Sequence, residues 1–414
     1  MAETAAALAA RLARSERGRL VAALLRVVGA GRLDLAEDCV QEAFAAALKT
    51  WPRDGAPDNP VAWLMTAARN RTLDRFRRNA VLAAIEPKIV GWVESLAAPP
   101  PEDPFGDEEF ALIALCCHPA LEEEQRLALT LKTVCGFAVE EIARAFLAEP
   151  AAIAQRIVRA KAKIRDLDLD FAAPSGGAIA ARMPSVLRTV YLMFNEGYAA
   201  SGGDTLIRAA MCEEALRLAE IIARHPRCGS PEAHALAALI AFQHARAPAR
   251  IGEGDALILL EHQDRTLWDR ALIARGFAHL RAAMSGEALT PYHVEAGIAS
   301  LHAQASRFAD TDWAQVRGYY DMLMDMSPSP VVAVNRAVAQ AMTGDLEGAN
   351  ASLAGAARDK RIEKYVPYWL TRAEIAARAG DANAARMAYD RALALPGPAP
   401  GRRVIEEKRR ALRP

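Results

Sequence analysis

Arg69, Arg71, Arg75, Arg77 and Arg78 fall within ten residues of one another, with Asn70 among them and Trp63 seven positions before Asn70. On a helix, positions 71, 75 and 78 stand at i, i+4 and i+7 and share one face. Trp63, Asn70 and Arg77 form a neighbouring stripe, and Leu64, Met65, Ala68 and Phe76 fill a sector suited to burial. Guanidinium groups neutralise phosphates, a carboxamide bonds a base edge, and an indole stacks on an unpaired base. This chemistry suits DNA. The alternative is a solvated arginine face paired to local acids.

A second basic segment, "VEEIARAFLAEPAAIAQRIVRAKAKIRDL", is laid out as a helix-turn-helix. Its first helix is expected over 139–146, with Ala143 small at the crossing and a turn near 147–149. Pro150 opens the second helix. Ile153, Ile157 and Ile164 mark that helix's buried face. Gln155, Arg156, Arg159, Lys161, Lys163 and Arg165 are left for a major groove and its flanking phosphates. A basic helical hairpin without DNA is the competing reading.

The elements that must position these residues are helices. The 414-residue chain is 52% hydrophobic and 6% aromatic, rich in Ala, Leu, Arg and Glu, which favour helix. Period-two strand patterns are scarce, so an all-α protein is expected. With 51 basic and 51 acidic residues the chain is neutral, which excludes a uniformly basic nucleic-acid binder but not local basic surfaces. Asp34 and Glu37 read as a capping box before a helix that Pro52 ends, and Pro60 opens the arginine helix. "AAPPPEDPFGDEE" (97–109) reads as an acidic, proline-rich linker, and "DFAAPSGGA" (170–178) as a second break.

Further along, "NRAVAQAMTGDLEGANASLAGA" (335–356) aligns with "TRAEIAARAGDANAARMAYDRA" (371–392) at a shift of 36. The repeated unit is helix, Gly-Asp turn, helix, a period typical of tetratricopeptide-like hairpins. Earlier hairpins are expected over 211–245, 256–284 and 293–325.

The six cysteines include no CxxC, and buried reduced thiols fit Cys116-Cys117 better than ligation together with His118. No Walker loop, HExxH, nucleophile elbow or triad stands out, so the chain is expected not to be an enzyme and to need no cofactor or metal. The N-terminus is not a signal peptide and nothing is long enough to span a bilayer. A soluble, cytoplasmic protein is expected.

Two basic elements separated by an acidic linker resemble bacterial sigma factors of the extracytoplasmic-function type, over residues 10–168. "DLAEDCVQEAFAAAL" resembles the region 2.2 helix, "NPVAWLMTAARNRTLDRFRR" regions 2.3 and 2.4, and "HPALEEEQRLALTLKTVCGFAVEEIARAFLAEPAAIAQRIVRAKAKIR" region 4. "YLMFNEGYAAS", "LLEHQDRTLWDRALIARG" and "FADTDWAQVRGYYD" resemble the tetratricopeptide-like extension of one subgroup. Among their polar residues, Asn195, Glu196, Gln263, Asp264, Arg265, Asp269, Arg270, Asp310 and Asp312 fit either an interdomain or ligand-binding surface, or ordinary caps and salt bridges.

The resemblance implies region 2 at 1–80, a linker at 81–108, region 4 at 109–169, a linker at 170–182 and a helical-repeat domain at 183–414. It places Asp38, Gln41, Glu42 and Phe44 against the β′ clamp helices of core RNA polymerase, with the β flap as a second contact. Asn70, Arg71, Arg75, Arg77, Arg78 and Trp63 would meet the −10 element. Gln155, Arg156, Arg159, Lys161 and Lys163 would meet the −35 element. Leu147, where relatives carry glycine, and Ala154 depart from the pattern, which leaves open how much base reading region 4 performs. The function implied is promoter-specific initiation, regulated through the C-terminal domain and its own partner or intramolecular contact. A helix-turn-helix regulator with a helical-repeat sensor, acting without polymerase docking, is the alternative.

Overall fold

The structure is a computed structural model that describes residues 4–78, 106–146, 148–168, 171, 177–198, 205–250, 258–395 and 399–412. Every regular element among the described residues is a helix. The chain divides into two compact units, one of residues 1–196 with 224–228, the other of 197–223 with 229–414.

The first unit is built from α1 (Ala5–Ser15), α2 (Arg17–Val28), α3 (Leu33–Asp54), α4 (Pro60–Arg78), α5 (Gly106–Cys116), α6 (Glu123–Thr133), α7 (Val139–Ala145), α8 (Pro150–Asp166) and α9 (Gly177–Tyr198). α3 packs along α4 and α1, α2 packs on α3, α5 and α6, and α6 packs on α8. Leu33, Ala36, Val40, Phe44, Ala47 and Trp51 of α3 are all buried, an apolar stripe at three- and four-residue steps.

Several helix ends differ from the sequence expectation. Asp34 and Glu37 form no capping box: α3 begins at Leu33 without a side-chain cap, and Glu37 is buried, its carboxylate engaged elsewhere. Pro52 does not end α3. It lies in the last turn, where the proline ring costs a single backbone bond. The helix closes at Gly55, whose φ of +85° suits glycine and whose N–H bonds the Trp51 carbonyl.

Helix is present from Gly106 and from Gly177, inside the spans expected as linkers; residues 79–105, 169–170 and 172–176 lie outside the described set. α9 runs through the expected domain start at 183 and is fixed to the α5–α6 segment. The Ser185 hydroxyl donates to the Cys117 carbonyl at 2.5 Å, and Arg188 pairs with Glu123 at 3.1 Å. All six cysteines are free and buried.

The second unit runs from α10 (Thr205–Arg224) and α11 (Pro231–His244) through α12 (Arg270–Ala283), α13 (Pro291–Gln304), α14 (Trp313–Met326), α15 (Pro330–Met342), α16 (Leu346–Ala356), α17 (Val366–Arg378), α18 (Ala382–Ala394) and α19 (Ala399–Ala411). The 36-residue repeat appears as two hairpins, α15–α16 and α17–α18. Each turns on a left-handed glycine, Gly344 at φ +85° and Gly380 at φ +79°. The aspartate that follows caps the next helix: Asp345 accepts from Gly348 N–H at 2.8 Å, and Asp381 from Ala384 N–H at 2.9 Å.

The expected hairpin over 256–284 is not one. Among the described residues only α12 forms there, after two short 3-10 turns at Leu260–His262 and Arg265–Leu267. Asp264 caps the second turn and Asp269 caps α12, so capping satisfies the backbone where a first helix was expected. Asp312 caps α14, Asp310 pairs with Arg307, and Arg265 donates to the His302 and Ala305 carbonyls. These polar residues of the family-like stretches hold the unit's own turns.

His302 is buried, with its ring edge-on to Trp313. Burial, followed by the charges of Arg246 and Arg265, lowers its pKa from 6.5 to about 3. The folded form therefore holds a neutral imidazole, and between these two values the unfolded chain binds the extra proton. Stability is full above about pH 6.5 and is lost on acidification towards pH 3, by about 1.4 kcal/mol per pH unit from this group. Urea unfolding at successive pH values should show that slope, and His302→Phe should flatten it.

Candidate nucleic-acid and polymerase interface

α4 enters from Pro60, whose fixed φ suits the first helical turn, after Asn59 caps the Ala62 N–H at 3.0 Å. Leu64, Met65 and Ala68 are buried against α3. Trp63 is half-buried, its ring edge-on to Trp51 at 5.5 Å. Asn70 and Arg71 are exposed and Arg75 is partly so. Arg77 and Arg78 lie in the last turn of α4, and their side chains fall outside the described set.

The arginine face is paired to acids of the neighbouring helix α3. Arg75 donates to Glu42 at 2.6 Å and to Asp38 at 3.4 Å, and Arg71 lies 3.6 Å from Glu42. The hydrogen bond to Glu42 is the main cause that raises the Arg75 pKa. The carboxylates expected to face polymerase therefore neutralise the arginines expected to face DNA. Gln41 is exposed beside them. Phe44 is not on this surface: at 6% exposure it belongs to the α3 core stripe, four residues on from Val40 and on the same face.

In the helix-turn-helix, α7 and α8 carry the expected buried faces, with Ile142, Ala143, Ile153, Ile157 and Ile164 in the core. Leu147 lies outside the described residues. Gln155, Arg159, Lys163 and Arg165 are exposed, and Arg156 pairs with Glu124 at 2.8 Å.

Lys161 departs from the expected groove face. It bonds Asp34 at 2.7 Å and Glu37, both on α3, and its side chain is 14% exposed. Burial acts to lower its pKa, but the Glu37 and Asp34 carboxylates outweigh that effect and raise it. Glu37, 6% exposed, also accepts from the Thr133 hydroxyl at 2.7 Å, and Arg17 lies 4.0 Å away.

The sequence reading did not find Glu37 as a functional residue. The available signal was its place in the apolar stripe 33–37–40–44, where a carboxylate needs a buried partner. His234 and His279 approach to 2.8 Å between their Nδ1 atoms.

Residues 12–81 match the family Sigma-70 region 2, and residues 111–164 match Sigma-70, region 4. A protein of Rhizobium meliloti (strain 1021), named only as uncharacterised, is 40% identical over 388 residues, 92% of this chain and 90% of its own length. The chain belongs to the extracytoplasmic-function type of sigma factor. This sigma factor carries an additional C-terminal domain, of which residues 182–284 match a family of unknown function, DUF6596. No solved structure matches it. As a sigma factor it binds core RNA polymerase and promoter DNA and directs promoter-specific transcription. No helix among its described residues is long and apolar enough to cross a membrane.

Proposed function

We propose that region 2 of this sigma factor reads and opens the −10 element, that region 4 reads the −35 element, and that the C-terminal unit regulates both. The observation that carries this division of labour is the pair of exposed polar faces on α4 and α8. Asn70, Arg71 and Arg75 belong to a region 2 match, and Gln155, Arg159 and Lys163 to a region 4 match.

Asn70 captures a flipped −10 base, with Trp63 as the wall of its pocket. Arg71, Arg75 and Arg78 hold the backbone, with Arg77 beside them. Arg156 joins the −35 contacts by leaving Glu124. Asp38, Gln41 and Glu42 dock on the β′ clamp helices, and region 4 meets the β flap. The exchange of partners at Arg71 and Arg75 is inexpensive, because exposed ion pairs contribute about 0–1 kcal/mol. The protein works by binding and strand separation and performs no covalent chemistry.

Regulation through the C-terminal region is supported by two features. α9, which overlaps the DUF6596 match, is bonded to region 4 at Cys117 and Glu123. The second unit, which we read as tetratricopeptide-like from its two repeated hairpins, contains a cavity of about 620 Å3 lined by apolar residues such as Leu259, Phe308, Trp313, Leu370 and Ile405. That volume lies within the range of small-molecule sites. Reconstituted transcription with core polymerase tests the reading, comparing the full chain with one ending at Glu196. The truncated chain should retain promoter choice and change its activity severalfold. Identical activity, with and without added cell extract, would count against a regulatory C-terminal unit.

A further inference from the structure

We propose that the second unit holds a binding site for a small phosphate-bearing anion, formed by Arg246, Arg250 and Arg265. The site lies outside both sigma regions and does not depend on how they meet DNA.

The three guanidinium groups belong to one connected network. Those of Arg265 and Arg246 both lie over the Trp268 indole, 4.7 and 5.5 Å from the ring centre. Arg246 donates from Nε to Gln263 at 3.3 Å and from Nη1 to Gln243 at 2.9 Å. Gln243 also accepts from the Tyr198 hydroxyl at 3.0 Å. Arg250 lies 3.6 Å over the Tyr198 ring and donates to the Tyr198 carbonyl at 2.8 Å. Among the described residues no carboxylate pairs with any of the three. Every acceptor they use is a backbone carbonyl or a glutamine carboxamide.

This arrangement lacks a counter-ion. A guanidinium does not give up its proton in a protein, and a buried charge calls for a partner of opposite sign. Burial and the nearby Arg250 lower the Arg246 pKa, and burial and Arg246 lower that of Arg265. The charges of Arg246 and Arg265 also act together on His302, so they converge on the last turn of α13.

At that point the donors are in excess. Arg265 is 7% exposed. Its Nη1 serves the carbonyls at the end of α13, but its Nε and Nη2 are buried with no partner. His302 Nδ1, the Thr311 hydroxyl and the indole nitrogens of Trp268 and Trp313 are buried without partners as well. Buried polar groups are ordinarily satisfied. Donors gathered beside unpaired cations complement an oxyanion.

Phosphate suits the site better than a carboxylate does. It brings up to two negative charges and three acceptor oxygens, against cations and donors that approach from separate residues. A nucleic-acid backbone does not fit, because Arg265 lies beneath the surface. Arg246 and Arg250, both half-buried, form the entrance.

Titration calorimetry on the full-length chain tests the proposal, with inorganic pyrophosphate as the probe and malonate as the carboxylate control at matched ionic strength. Pyrophosphate should bind once per chain with a Kd of about 100 μM or tighter, and malonate about 20-fold more weakly. Arg246→Gln and Arg250→Gln should each weaken pyrophosphate by about 20-fold, as expected for one lost hydrogen bond to a charged group. Without ligand, each variant should unfold in urea at a midpoint no lower than wild type, because it removes a cation from a repelling cluster. No binding at ~5 mM pyrophosphate, which would leave buried water as the partner of these donors, overturns the proposal. So does pyrophosphate binding that both variants retain in full, which would mean an adventitious ion only. Malonate that binds as tightly overturns the phosphate assignment, and a lowered midpoint in both variants overturns the repelling cluster in favour of arginines that only hold the fold.

Discussion

Replacing Arg71 and Arg75 together by alanine is expected to lower promoter-specific transcription about 100-fold while leaving affinity for core polymerase within about threefold. Hydrogen bonds to charged groups contribute about 1.5–3 kcal/mol each, and a factor of ten corresponds to about 1.4 kcal/mol. Two lost phosphate contacts therefore account for about two orders of magnitude. Their present partners, Glu42 and Asp38, keep their charge, so the docking surface persists. The salt dependence separates this account from a purely structural arginine face. The slope of log affinity against log salt should flatten by about 1.8, or about 0.9 for each phosphate contact removed. Measuring promoter-complex affinity at several salt concentrations checks it.

The second large effect is expected at Glu37. Glu37→Met leaves the half-buried Lys161 with only the exposed Asp34 as its partner and removes the acceptor for Thr133. Breaking a buried pair from one side costs about 3–5 kcal/mol. Lys161→Met, which strands a carboxylate at 6% exposure, should cost a similar amount. The double variant Glu37→Met/Lys161→Met should recover most of the loss, because two apolar side chains replace two stranded groups. Urea unfolding of the four proteins measures the coupling. Additive losses would mean that the two residues do not act as one buried pair.

How far the sequence could be read depended on whether a feature is local. Pro60, the Gly-Asp turns at 344–345 and 380–381 and the isoleucine face of α8 are local signals, and the structure forms the elements they announce. Lys161 is not local. In sequence it stands among Arg156, Arg159, Lys163 and Arg165 with nothing to set it apart, and the partner that takes it off the groove face is 124 residues away. Phe44 was partly legible, since it continues the Leu33–Val40 stripe, but the family pattern drew it to the surface. Over 256–284, Asp264 and Asp269 were the usable signal. Each caps a turn or helix start, and two starts so close leave no room for a full helix between them. The paired role of Asp38 and Glu42 was hidden because opposite charges on neighbouring helices give no spacing rule within either helix.

The most direct test of the central claim is run-off transcription on a promoter library using core RNA polymerase and the purified chain. The account expects transcripts to appear only when both are present, to start downstream of shared −35 and −10 sequences, and to lose that sharing at −10 when Asn70 is replaced by alanine. Transcripts independent of the chain, or DNA binding by the chain that never recruits polymerase, would contradict it.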